Sequence, residues 1–172
     1  MDAGAGLESA AAGARRMVKA LVIASIVWPL VLAASVWQRA TDGPTAWTAI
    51  VHGIGSRICH QRPERSFHTA GAQWPVCGRC SGLYLAAPFG AALAFFRRRR
   101  HDVGRARLWL AIAAVPTALT LGLEWFGLAP IGNLARFLSA LPLGAAAAMA
   151  VIIAVGPSPD QPIARSPMRR VR

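Results

Sequence analysis

Charge is what this chain is short of. Only 15% of its 172 residues are charged, while 55% are hydrophobic. An ordinary soluble domain carries about 25% charged residues, so that class is excluded at the outset. The apolar runs also lack the polar stripe that the helices of a soluble bundle present to water. Lysine is nearly missing, Lys19 being the single one, and we have no physical account of that bias. Cysteines number 3, and an odd count excludes a simple framework of paired disulfides. No internal repeat stands out. The basic excess, 19 Lys+Arg against 7 Asp+Glu, does not mark a nucleic-acid binder. Such a protein needs a polar body with a basic face, whereas these arginines stand at the edges of apolar runs. The partner implied is the lipid bilayer, not nucleic acid.

What the chain does have is four apolar runs, at about residues 17–37, 79–96, 108–128 and 134–155. Each approaches the ~20 apolar residues that a bilayer core requires. The first exceeds the ~7–15 residues of a signal-peptide core, which favours a retained span over a cleaved leader. Proline and glycine inside the third and fourth runs do not veto them, since both residues are common in membrane helices. The fold expected is all-α: an integral membrane four-helix bundle with a Cys/His-containing loop, residues 38–78, between the first and second spans. Residues 1–16 and 156–172 read as disordered, basic ends.

Arginine placement orients the chain, because cytoplasmic loops retain Lys and Arg. Arg15, Arg16 and Lys19 precede the first run, Arg97 to Arg100 with Arg105 and Arg107 fill the second connection, and Arg165, Arg169, Arg170 and Arg172 end the chain. A multi-pass protein of the cell's inner (cytoplasmic) membrane with both termini cytoplasmic is expected. The loop 38–78 and the turn 129–133 then share the outer side.

All three cysteines and two of the four histidines fall in one window of that loop, "CHQRPERSFHTAGAQWPVCGRC". Just before it, Trp47, Ile50, Val51, Ile54 and Ile58 recur at helical spacing, the signature of a short helix lying in the membrane interface. Cys77 and Cys80, separated by two residues on a turn that includes Gly78, can aim both sulfurs at one point. Cys59 with either His60 or His68 then completes a tetrahedron, a donor set that suits zinc. A Cys-x-x-Cys pair at a helix start also suits thiol-disulfide exchange, with Cys77 attacking, Cys80 resolving and Cys59 passing electrons onward. Both readings stay open on spacing alone.

The same string resembles the signature of a family of small prokaryotic membrane proteins catalogued as domain of unknown function 2085. The residues that carry the resemblance are Cys59, His60, Gln61, Pro63, Arg65, Ser66, Phe67, Pro75, Cys77, Arg79, Cys80 and Gly82. Glu124 and the Asn133-x-x-Arg136 start of the fourth run resemble further family features, while Ser139-Ala140 stands where the family has Thr-Gly. The resemblance implies a multi-spanning membrane protein and supplies no substrate.

Glu124 and Arg136 are ionisable residues within the last two runs, where a charge at the bilayer centre costs at least ~2.5–3.5 kcal/mol and demands a partner. The short turn between the runs sets them at similar depth, so they are expected to pair. The functional alternative gathers them with Asn133, His60, His68 and Arg65 into a polar pocket beneath the loop. There Arg65, Arg79, Asn133 and Arg136 would hold an anionic lipid or a small anionic substrate, and Glu124 or His68 would take a proton from metal-bound water. Whether the chain is an enzyme stays open. A non-enzymatic assembly or transport subunit is the remaining reading, and the small residues of "LGAAAAMAVIIA" suit close helix packing in a homo-oligomer.

Overall fold

The computed structural model describes residues 3–96 and 103–156. The arginine run 97–100 and the tail from residue 157, both expected on the cytoplasmic side, lie outside the described residues. Five helices and one hairpin follow in order: α1 (Ala3–Thr41), α2 (Ala46–Ile58), a single 3-10 turn (Pro63–Arg65), β1 (Ser66–Thr69), β2 (Ala72–Cys77), α3 (Gly78–Phe96), α4 (Val103–Trp125) and α5 (Asn133–Val155). Four of the helices contain segments long and apolar enough to cross a membrane: Glu8–Thr41, Gly78–Phe96, Gly104–Trp125 and Asn133–Val155. The all-α membrane fold expected from composition is therefore the fold observed, with a small two-stranded sheet added.

That sheet and the reach of α1 are the departures. Helix α1 begins at Ala3, so most of the stretch read as a disordered end is helical. The physical reason is alanine: it is the strongest helix former and introduces no competing polar group, so low polarity without proline extends a helix. The hairpin arises because Phe67, Thr69, Trp74 and Val76 suit a pleated surface. It closes on Ala70 and Gly71, both at positive φ (47° and 80°), as a two-residue turn requires.

The helices pack as a row. Helix α5 lies between α3 and α4, and α1 rests on α3 and touches α5. The α3–α5 seam is the closest, and α3 shows why: Gly78, Gly82, Ala86, Gly90 and Ala94 recur every fourth residue and all are buried. Such a small-residue ridge lets two backbones approach where the lipid gives no hydrophobic drive for association. A Cβ on Gly82 would strike the carbonyl oxygen of Phe137, and one on Gly90 that of Ala145. Gly144, from the segment expected to serve an oligomer, faces Leu83 within the same chain. Helix α4 is tied to α5 by Thr117, whose hydroxyl donates to the Ser139 carbonyl at 2.8 Å.

Helix α2 packs on α1 and on strand β2. It opens on a reciprocal cap between Thr45 and Thr48 and buries Thr48, Val51 and Gly55. Trp47, Ile50, Ile54 and Ile58 stay about half exposed, the apolar face an interfacial helix offers to lipid.

The seam sets a test. Gly90→Leu should destabilise the protein by about 1–3 kcal/mol or more, because the obstacle is backbone. Gly122→Ala, with nothing within 4 Å of its Cβ, should be neutral or stabilise by up to ~1 kcal/mol. Thermal unfolding in detergent micelles reads both.

Candidate metal centre

Three sulfurs, two from one C-x-x-C turn and the third from 18 residues earlier, converge where β2 runs into α3. Cys59 closes α2, Cys77 ends β2, and Cys80 lies in the first turn of α3. Their Sγ atoms all lie within 4.8 Å of one another. All three are free thiols, so no disulfide joins them. Cys59 is buried in one apolar cluster with Leu32, Val51 and Val76, against which Cys77, Cys80, Trp28, Val31 and Tyr84 pack. The Cys77 backbone N–H donates to Cys59 Sγ at 3.2 Å, a contact that favours a thiolate sulfur. The Cys59 thiol is held well below the usual thiol range, first by its hydrogen bond from Cys77 and then by one from Cys80, with burial opposing.

The histidines do not join. The group of ligand atoms contains the three cysteines alone among the described residues, and His60 and His68 are both exposed. The reason is backbone parity. Cys59 is extended (φ −146°, ψ 140°), and successive side chains of an extended chain point to opposite faces, so a buried Cys59 turns His60 outward. On β1, the register is irregular between Ser66 and His68. That bulge re-aims His68, which would otherwise share the buried side of Ser66.

Below the sulfurs, the expected Glu124–Arg136 pair is present and has a third member. Arg79, one of the two residues between Cys77 and Cys80 in the C-x-x-C turn, donates to Glu124 Oε2. Arg136 donates to Glu124 Oε1 through Nε at 3.0 Å and through Nη2. All three side chains are nearly buried. Arg136 Nη1 also donates to Asn133 Oδ1 at 2.6 Å, and Asn133 Nδ2 to the Ser66 carbonyl at 2.9 Å. A buried charge retained in a low-dielectric interior needs such pairing. The residues expected to meet a substrate, Arg79, Asn133 and Arg136, thus spend their donors on Glu124 and the hairpin. Both carboxylate oxygens of the expected proton acceptor are engaged, and His68 sits apart on the exposed face. Arg65 is half-buried and is not one of Glu124's partners. One donor is left over: Arg79 Nε is buried without a partner among the described residues.

Gln61, which the sequence presents only within the family-like string, and Gln73, which it does not single out, hold the loop in shape. Gln61, at φ 47°, donates through Nε2 to the carbonyls of His52 and Pro75, both at 2.7 Å. Gln73 Nε2 returns a bond to the Gln61 carbonyl at 2.7 Å. The available signal was the presence of Gln61 in the family-like string; its amide supplies donors to two part-buried carbonyls, groups that folding leaves in need of a partner. His52 is held below its usual range by burial first and by the Arg39 guanidinium second. Arg39 Nη1 lies 3.3 Å from His52 Nε2, a contact in which the arginine donates and the imidazole is neutral.

Comparison with known proteins follows this geometry. The family described as "Predicted membrane protein (DUF2085)" matches residues 59–150, more than half of the chain, from the first cysteine past Arg136. An uncharacterized protein of Methanothermobacter thermautotrophicus is 34% identical over 87 residues, 51% of this chain and 78% of the relative. An uncharacterized protein of Methanocaldococcus jannaschii is 33% identical over 95 residues, 55% of this chain and 61% of the relative. No solved structure matches.

Glu124→Gln leaves two buried guanidinium groups facing a neutral amide. It should lower stability by about 3–5 kcal/mol, measured as the unfolding midpoint in detergent. Asn133→Ala, which frees one hydrogen bond at each end, should lose about 1–3 kcal/mol.

Proposed function

The chain belongs to the DUF2085 family of predicted membrane proteins, and we propose that it binds a thiophilic metal ion, zinc fitting best, through Cys59, Cys77 and Cys80. The carrying observation is the convergence of three free thiols, two of them separated by only two residues and the third arriving from the end of α2, within 4.8 Å. Thiolate donors select zinc and other soft ions over magnesium or calcium. Three protein ligands leave the fourth position of a tetrahedron to a water or a substrate atom, as in catalytic rather than closed structural sites.

Charge supports the same assignment. Glu124 with Arg79 and Arg136 carries a net single positive charge in a nearly buried setting. A zinc ion with three thiolates carries a single negative charge, so the two groups neutralise each other within one low-dielectric region. Arg79 joins them physically, because it stands between two of the sulfur ligands. The brace of Glu124, Arg136 and Asn133 positions the centre and takes no part in chemistry. His60 and His68 stay off the metal. The orientation with arginine flanks in the cytoplasm sets the centre at the outer surface of the membrane.

When bound, the metal supplies Lewis acidity at its open position. The chain's own residues hold the sulfurs, exclude water on the Leu32–Val51–Val76 side and fix the turn. Protein purified in detergent under reducing conditions should take up one zinc per chain. Cys59→Ser, Cys77→Ser and Cys80→Ser should each lower bound zinc at least 10-fold, while His60→Ala and His68→Ala keep it. Uptake should fall with pH, since the ligands must be deprotonated. Reduced wild-type protein that takes up no zinc, with thiols that cycle reversibly between free and blocked, would overturn this reading and favour thiol-disulfide exchange at Cys77 and Cys80.

A further inference from the structure

The three sulfurs come from two pieces of chain: Cys77 and Cys80 from the junction of β2 and α3, Cys59 from the end of α2. Helix α2 packs on α1 and β2, so a contact between α2 and β2 must set how far Cys59 advances toward the pair. One residue meets both pieces. Gln61 donates one side-chain N–H to the His52 carbonyl of α2 and the other to the Pro75 carbonyl of β2, each at 2.7 Å. A primary amide has two such hydrogens, and both are used. The Gln61 carbonyl accepts from Gln73 Nε2 at 2.7 Å. Its backbone adds a hydrogen bond to the Cys59 sulfur, beside the one from the Cys77 N–H.

We propose that Gln61 is the positioning residue of the metal centre, holding the Cys59 sulfur against Cys77 and Cys80. The proposal rests on the metal reading and adds which residue decides whether the third ligand is present.

Two further observations support it. Gln61 has φ 47°, a left-handed conformation that is uncommon for a residue with a side chain and persists where the surroundings over-determine it. Gly55, one turn before Cys59 on α2, is buried, and a Cβ there would strike the Pro75 carbonyl oxygen and Gln61 Nε2. Helix, amide and strand thus meet at one point, a single turn from the ligand. A side chain that fixes a ligand by hydrogen bonds without touching the ion commonly governs affinity by about 10–100-fold. At position 61 the chemistry counts for more than the volume. A carboxylate of the same shape only accepts hydrogen bonds, so Gln61→Glu sets an anion against two carbonyl oxygens.

The test uses the full chain, reduced and in detergent, with cobalt(II) as the probe. Cobalt held by thiolates absorbs through sulfur-to-metal charge transfer, whose intensity per bound ion counts the sulfurs. Wild type should show three. Gln61→Glu should show two and bind cobalt about 10–100-fold more weakly, because Cys59 falls away while Cys77 and Cys80 stay. Gly55→Ala, which crowds the amide from the α2 side, should lose the same sulfur. Gly90→Leu, which disturbs the seam of α3 with α5 further along α3, should keep the three-sulfur spectrum. A second arm needs no metal. Cys80→Ser leaves Cys59 and Cys77 as the chain's two thiols, and phenylarsine oxide condenses with a pair of neighbouring thiols, releasing one water. That variant should capture one arsenical per chain, and adding Gln61→Glu should weaken capture on the order of 10-fold.

A three-sulfur spectrum in both Gln61→Glu and Gly55→Ala shows that the amide does not place Cys59 and overturns the proposal. Equal loss in Gly90→Leu overturns it too, since any loss of stability then has the same effect. If wild type takes up no cobalt the metal reading falls, and the arsenical arm alone judges Gln61, undiminished capture counting against it.

Discussion

Two guanidinium groups closing on one carboxylate hold this molecule together. Glu124 comes from α4, Arg136 from α5 and Arg79 from α3, so three helices meet in a single ion cluster at the same end of the row. In lipid such a cluster is decisive, because helices gain nothing from hiding apolar surface in a solvent that is itself apolar. What remains to fix their register is close backbone contact, which the α3 glycine ridge supplies, and polar pairing, which Glu124 supplies. The first sets how near α3 and α5 lie; the second sets which residues face each other.

The thiol cluster inherits that precision. Cys77 and Cys80 flank Arg79, so the turn that presents them is clamped from below by the carboxylate and from above by the hairpin. Asn133 extends the clamp by holding the Ser66 carbonyl, and Ser66 pairs with Cys77 across the two strands. A donor set placed on rigid, second-layer hydrogen bonds is the arrangement that keeps metal ligands in one geometry.

Much of this was legible in the amino-acid sequence, and the limits have physical causes. Four apolar runs, the interfacial helix before Cys59 and the same-side placement of cysteines and Glu124 follow from hydropathy, helical periodicity and short connections. The Glu124–Arg136 pair follows from the penalty on a lone intramembrane charge. Arg79 escaped because its position beside the cysteines suggested a solvent-facing headgroup ligand, and its register toward Glu124 depends on how tightly Gly78 lets α3 approach Asn133. The histidines were assigned by proximity in the chain, whereas membership of the cluster is decided by backbone parity at Cys59 and by an irregularity in β1, neither of which composition encodes. The extension of α1 to Ala3 reflects helix propensity acting where no packing opposes it.

The position of Arg79 also bears on how the molecule is born. Its carboxylate partner is on the next helix and its fellow cation on the one after, so a ribosome delivers α3 to the bilayer with a guanidinium still awaiting its counter-ion. That helix therefore reaches its final seat only once the α4–α5 pair arrives. The sulfur-bearing turn belongs to the same segment, so the ion cluster that clamps it is complete only when α4 and α5 are in place.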